Sequence, residues 1–214
     1  LDAFLTQVAG QHTEQVNRRG KFIVIGLKGA ALLVHLRMSG DLRLEREASP
    51  DKPHDRLVLE FTDGCRLAFN DARKFGRVWL LADPGAILGK LGPEPLDSHF
   101  TAEDLGAMLP GRRRQLKPLL LDQSFIAGLG NIYTDEALHL ARLHPCYLAD
   151  SLSALEVERL HAAIRSVLEE GIRRNGASID WVYRGGDFQN HFRVYKRTGQ
   201  ACPACGSIIK RMVV

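Results

Sequence analysis

The hydrophobic period of this 214-residue chain changes near residue 100, and that change limits what it can fold into. Ahead of it, short apolar runs are separated by turn signals. Residues 21–27 (Lys-Phe-Ile-Val-Ile-Gly-Leu) and 30–36 (Ala-Ala-Leu-Leu-Val-His-Leu) are split by Lys28-Gly29. That pair suits a hairpin turn, because glycine accepts a positive φ. Residues 56–61 and 65–69 flank Thr62-Asp63-Gly64 in the same manner, and residues 77–81 read as a further strand. Residues 46–55 hold no period and read as a solvated loop. Several short strands with turns between them predict a sandwich or barrel.

Beyond residue 100 the spacing is helical. Residues 101–104 resemble a helix start, and a stretch follows with Arg112, Arg113 and Arg114 on its polar side. The clearest helix opens at a capping box, Ser153 with Glu156. Val157, Leu160, Ile164, Val167, Leu168 and Ile172 keep the period, and Asn175-Gly176 supplies the stop. Strands followed by helices make an α+β chain with a boundary near residue 95.

Charge and composition narrow the function classes. Lys and Arg outnumber Asp and Glu by 29 to 25, a net +4 that permits a polyanionic partner without requiring one. No apolar run approaches the ~20 residues that span a bilayer, so no membrane role is expected. Four cysteines are too few for a disulfide scaffold of this length and fit a reducing, cytoplasmic setting.

Four motifs carry chemistry, and each has a plainer reading. Cys202-Pro-Ala-Cys205 follows a strand-like Phe192-Arg-Val-Tyr195 and a turn at Thr198-Gly199. Two thiols at this spacing are half of a tetrahedral zinc site; the rivals are a redox pair and two ordinary thiols. Gly128-Leu-Gly-Asn131 precedes an apolar-patterned helix containing Ile132, Leu138 and Leu140, with Asn131 where an N-cap would stand. Exposed amides at a helix start favour a phosphate oxygen, whereas a capped connector is the plain alternative. Arg112, Arg113, Arg114 and Lys117 lie just upstream and read either as a shared phosphate site or as a solvated face. Asp71-Ala-Arg-Lys-Phe-Gly76 puts cations and an aromatic between two strands, as a tip that enters stacked bases would; a core Phe flanked by surface charges is the plain alternative. His35, between apolar neighbours, reads as a satisfied histidine.

Taken in order, Arg18-Arg-Gly-Lys-Phe22, His35-Leu-Arg-Met-Ser-Gly40, Asp71 to Gly76, Leu91-Gly-Pro-Glu-Pro-Leu96, Leu116-Lys-Pro-Leu-Leu-Leu-Asp122, Ala127 to Tyr133, His144-Pro145 and the Cys pair resemble the formamidopyrimidine-DNA glycosylase/endonuclease VIII family. The resemblance implies a β-sandwich over residues 1–95 and a helix–two-turn–helix DNA-binding domain over 96–190. A partial zinc finger over 191–214 would hold one structural zinc, with Cys202 and Cys205 as half of its ligands. It implies a bacterial, cytoplasmic, nucleoid-associated monomer that binds duplex DNA carrying oxidised bases or abasic sites. Such an enzyme excises 8-oxoguanine and formamidopyrimidines, then cleaves the abasic strand.

Carried over by motif, Lys21 matches the lysine that takes part in β-elimination. Met38, Arg73 and Phe75 match a wedge that fills the gap left by a flipped nucleotide. His54, Arg73 and Arg112 fall at DNA contacts, and Lys117 and Asn131 at phosphate binders. The family's chemistry starts at an N-terminal proline followed by a glutamate, whereas this chain starts at Leu1. The resemblance therefore implies a fragment that lacks the nucleophile and is inactive as given. The rivals are a non-catalytic nucleic-acid binder with the same helix–two-turn–helix, and the oxidised-pyrimidine branch. Residues 181–191 hold no base-reading motif that would settle lesion choice.

Overall fold

The computed structural model describes residues 2–46, 49–178 and 185–214, which form two compact units. One runs up to Gly89; the other comprises Lys90–Ser178 with Gly185–Val214. The join thus falls ahead of residue 95, and the cysteine-bearing tail is grouped with the helices.

The first unit opens with α1 (Asp2–Val8) and continues through seven antiparallel strands. These are β1 (Thr13–Arg19), β2 (Phe22–Leu27), β3 (Ala30–His35), β4 (Gly40–Glu45), β5 (Asp55–Glu60), β6 (Arg66–Asp71) and β7 (Arg77–Leu81), followed by the short α2 (Gly85–Leu88). One sheet has the order β1-β2-β3-β7 and the other β4-β6-β5. Alternation fixes which side chains face inward. Ile25, Leu27, Leu32 and Val34 of the first sheet meet Phe69 of the second in one buried cluster, which makes the unit a sandwich.

Register places the functional end. His35 pairs with Arg77 where the first sheet ends, and Gly40 pairs with Asp71 where the second begins. The chain crosses between sheets twice at this end, through residues 36–39 and back through 72–76. The two crossovers therefore run side by side.

The second unit holds α3 (Ala102–Ala107), α4 (Leu116–Leu121), α5 (Asn131–Ala141) and α6 (Ala154–Arg173), with 3-10 turns at Ala149–Ser151 and Phe188–His191. Capping boxes start α3 (Thr101 with Asp104) and α6 (Ser153 with Glu156). Val157, Leu160, Ala163, Ile164 and Val167 give α6 a buried stripe, as its period predicts. Three expectations need correction here. Arg112 to Arg114 lie in an irregular turn after α3, where Gly111 has φ +72°, and not on a helix face. Leu140 points outward, because the buried side of α5 is formed by Thr134, Glu136, Ala137, Leu138 and Ala141. Phe192 to Tyr195 is no strand: three of its amides bond the Glu136 carboxylate instead of a neighbouring strand.

Candidate nucleic-acid interface

Asp71 organises the rim of the β unit. It is fully buried at the end of β6, and its carboxylate accepts the Ser39 hydroxyl from one crossover. From the other crossover it accepts the amides of Gly76 at 2.7 Å and Arg73 at 3.3 Å. Its own amide donates to the His54 carbonyl at 3.0 Å, and its carbonyl accepts Arg56 Nε. Burial pushes this carboxyl up, but the Ser39 hydroxyl and the amides of Gly76, Arg73 and Lys74 outweigh it, and the net shift is downward.

Three turns are thereby fastened at one point, and each carries a non-glycine residue with positive φ: Arg37 at 55°, His54 at 75° and Lys74 at 61°. Such backbone costs on the order of 1 kcal/mol per residue and persists only where its surroundings enforce it. Gly76 is required for a different reason, since a Cβ there would lie 2.4 Å from the Phe69 ring.

The turns present Met38 and Phe75 to solvent, 67% and 52% exposed. Val16, Leu155 and Ile172 are exposed to a similar degree, so it is the shared fastening of their turns to Asp71 that sets Met38 and Phe75 apart. Arg73 lies over the Phe75 ring at 5.7 Å, and His54 is exposed on the third turn. Lys21 precedes β2 at the same end, because Phe22 pairs with His35. Desolvation, then the Arg37 charge, lowers its ammonium from the usual lysine range. His35 is pushed down to about 4 by burial and by the Arg37 and Lys21 charges. Its neutral Nδ1 accepts the Arg37 amide at 3.0 Å, which pins the turn before Met38. So Lys21, Met38, His54, Arg73 and Phe75 share one end of the sandwich.

In the second unit, Gln123 braces the glycine-rich turn: its Nε2 donates to the Leu121 and Leu129 carbonyls, and its Oε1 accepts the Gly128 amide. Gly128 itself has φ +90°, a conformation that favours glycine. The N-cap of α5 is Gly130, not Asn131; no side chain among the described residues caps it, and its first turn has no acidic residue. Asn131 is the exposed first helical residue. Lys117 on α4 places Nζ 2.7 Å from Asp135 Oδ1 on α5. Arg112 is exposed, while Arg114 is engaged by Asp122 at 2.8 Å.

Known proteins resemble this chain. A family model described as the formamidopyrimidine-DNA glycosylase N-terminal domain matches residues 1–78, and one described as its H2TH domain matches residues 91–182. A formamidopyrimidine-DNA glycosylase from Roseiflexus sp. (strain RS-1) is 46% identical over 221 residues, covering 100% of this chain and 81% of the relative. The chain belongs to the formamidopyrimidine-DNA glycosylase family. The crystal structure of the family protein from Thermus thermophilus is 42% identical, with a TM-score of 0.87 over 96% of this chain and 79% of that one. The Lactococcus lactis protein in complex with FAPY-dG-containing DNA is 33% identical, with a TM-score of 0.90 over 100% of this chain and 81% of that one.

The cysteine hairpin closes the second unit. Ala201 bridges Ile208, the Cys202 amide donates to the Ser207 carbonyl, and both thiols are free. Ser207 and Cys202 lower the Cys205 thiol from its usual range. His139 Nε2 lies 3.3 Å from Cys202 Sγ. Among the described residues, however, no group of three or more His, Cys, Asp or Glu side chains could hold a metal ion. Two thiols do not close a tetrahedral zinc site.

Sequence reasoning missed the two buried carboxylates that organise these sites. Glu136 is fully buried and accepts the amides of Arg193, Val194 and Tyr195 at 2.8, 2.9 and 2.9 Å. Asp71 has no sequence signal beyond lying within the Asp71–Gly76 motif, and Glu136 lies past the Ala127–Tyr133 motif. Of residues 181–191, positions 181–184 lie outside the described residues. No helix among the described residues is long and apolar enough to cross a membrane.

Proposed function

We propose that this chain serves base-excision repair with the DNA-binding machinery of a DNA glycosylase and abasic-site lyase that takes oxidised purines from duplex DNA. The observation that carries this reading is the rim at which Asp71 fastens the Met38 and Phe75 turns. A base inside a duplex is unreachable, so it must be rotated out at a cost of a few kcal/mol. Apolar side chains that enter the vacated stack offset part of that cost. Arg73, His54 and Arg112 would hold the backbone, and Lys117 with the amides at Asn131 would take a phosphate beside the extruded nucleotide. Lys21, with its lowered proton affinity, exchanges a proton nearer neutrality than an ordinary lysine and suits the elimination step. Solved relatives have been crystallised with DNA containing FAPY-dG, an abasic site or carbocyclic 8-oxo-G, which supports the choice of lesion. Cys202 and Cys205 would supply two of the four donors of a structural zinc site.

The test is equilibrium binding to matched duplexes that differ at one position: 8-oxoguanine, an abasic analogue, thymine glycol or no lesion. The expected result is at least ~10-fold tighter binding of the abasic and 8-oxoguanine duplexes than of the intact one, within the range of specific over non-specific DNA affinity. Equal affinity for all four would support a binder without lesion recognition. Preference for thymine glycol would support the oxidised-pyrimidine branch.

A further inference from the structure

Lys117 is the ammonium assigned above to a phosphate, yet in this structure it is already paired. Its Nζ lies 2.7 Å from Asp135 Oδ1, with both side chains largely shielded at 20% and 26% exposure. Asp135 stands four residues after Asn131, on the same face of α5. Helical side chains tilt toward the N-terminus, so this carboxylate leans back over the helix start. An acidic residue that served the helix itself would sit in the first turn, where α3 has Glu103 and Asp104 and α6 has Glu156. Asp135 is one turn too deep for that, and it pairs with Lys117 instead.

We infer that Asp135 is a positioning residue that restrains Lys117, so that the ammonium is shared between carboxylate and DNA phosphate and the grip on DNA stays weaker than the lysine alone would give. This inference rests on the phosphate-binding role proposed for Lys117. Two effects compete when the carboxylate is removed. The ammonium is freed from the carboxylate that shares it, so that its whole charge faces the phosphate, worth roughly three- to tenfold in affinity in a partly screened setting. Against this, Lys117 loses an anchor. Its stem is already mostly covered, however, and its backbone amide donates to the Pro145 carbonyl at 3.1 Å. Little rotamer freedom is regained, and the charge effect wins.

The experiment is a double-mutant cycle. Wild type, Asp135→Asn, Lys117→Met and the double variant are titrated with a labelled duplex carrying an abasic analogue, between 50 and 200 mM salt, roughly the range over which phosphate contacts are read. Asp135→Asn is expected to bind about three- to tenfold more tightly, with a salt slope steeper by about one phosphate contact. The double variant is expected to match Lys117→Met alone. Asp135→Ala serves as a second variant without an amide and is expected to act in the same direction. Weaker or unchanged binding by both Asp135 variants would overturn the inference. So would equal tightening in the Lys117→Met background, since Asp135 would then act as a general surface charge. Failure of the wild type to bind any duplex would overturn the DNA reading as well, which separates the two failures.

Discussion

Asp71→Ala is expected to lower the unfolding midpoint of the β unit by about 10 °C or more. The carboxylate is fully buried and accepts the Ser39 hydroxyl and the Arg73 and Gly76 amides. Its removal leaves the buried Ser39 hydroxyl and two part-buried amides without their acceptor, at up to about 1–3 kcal/mol for each group. A unit of this size loses roughly 4–8 °C per kcal/mol. The effect also has a pH signature. The folded carboxyl titrates below its unfolded value, so its contribution to stability is present above about pH 4 and lost as pH falls through the folded pKa. Asp71→Asn keeps one acceptor oxygen but no charge; it should destabilise less and flatten the acid limb of stability against pH. Calorimetry from pH 3 to pH 7 checks both statements. A midpoint for Asp71→Ala within 2 °C of wild type would show that the crossovers hold without this carboxylate.

Glu136→Ala carries the second large effect, in the other unit. Its carboxylate is the acceptor for three consecutive amides, Arg193 to Tyr195, and Arg193 also approaches it with a guanidinium nitrogen at 3.8 Å. The segment just beyond leads into the cysteine hairpin, which is closed by the bonds between Gly199, Gln200 and Ile209. Without the carboxylate, the docking of this tail should weaken by about 3 kcal/mol. That corresponds to roughly 100-fold faster amide exchange at residues 193–195 and in the hairpin. Exchange in α6 should change far less. Unchanged protection at 193–195 would mean that the tail is held by its side-chain contacts alone.

The difference between what is and is not legible in the sequence is physical. The hairpins around Lys28-Gly29 and Asp63-Gly64, and the capping box at Ser153, are local: a turn or a cap is decided within four residues. β1 carries no such signal because it is exposed almost throughout, so no alternation of burial marks it. The motif gives the positions of Met38, Arg73 and Phe75, but not what fastens them. Asp71 does so from a register pairing with Gly40, 31 positions away in the chain, and no local pattern encodes such a pairing. Asn131 reads as a cap because asparagine often caps helices, whereas the cap stands one residue earlier, at Gly130. Glu136 reads as one more polar residue on α5. Only the packing of residues 193–195 reveals why it is buried.

Met38 and Phe75 are expected to enter the stack when this chain binds damaged DNA. The direct measurement places 2-aminopurine opposite an abasic analogue and follows its fluorescence, which rises when the base is unstacked. Wild-type protein at saturation should raise the signal severalfold. The Met38→Ala/Phe75→Ala variant should still bind through its phosphate contacts, within roughly tenfold of wild type, because those contacts dominate affinity. It should lose most of the fluorescence rise. An undiminished rise in the saturated variant would contradict the account and remove the wedge role from this rim.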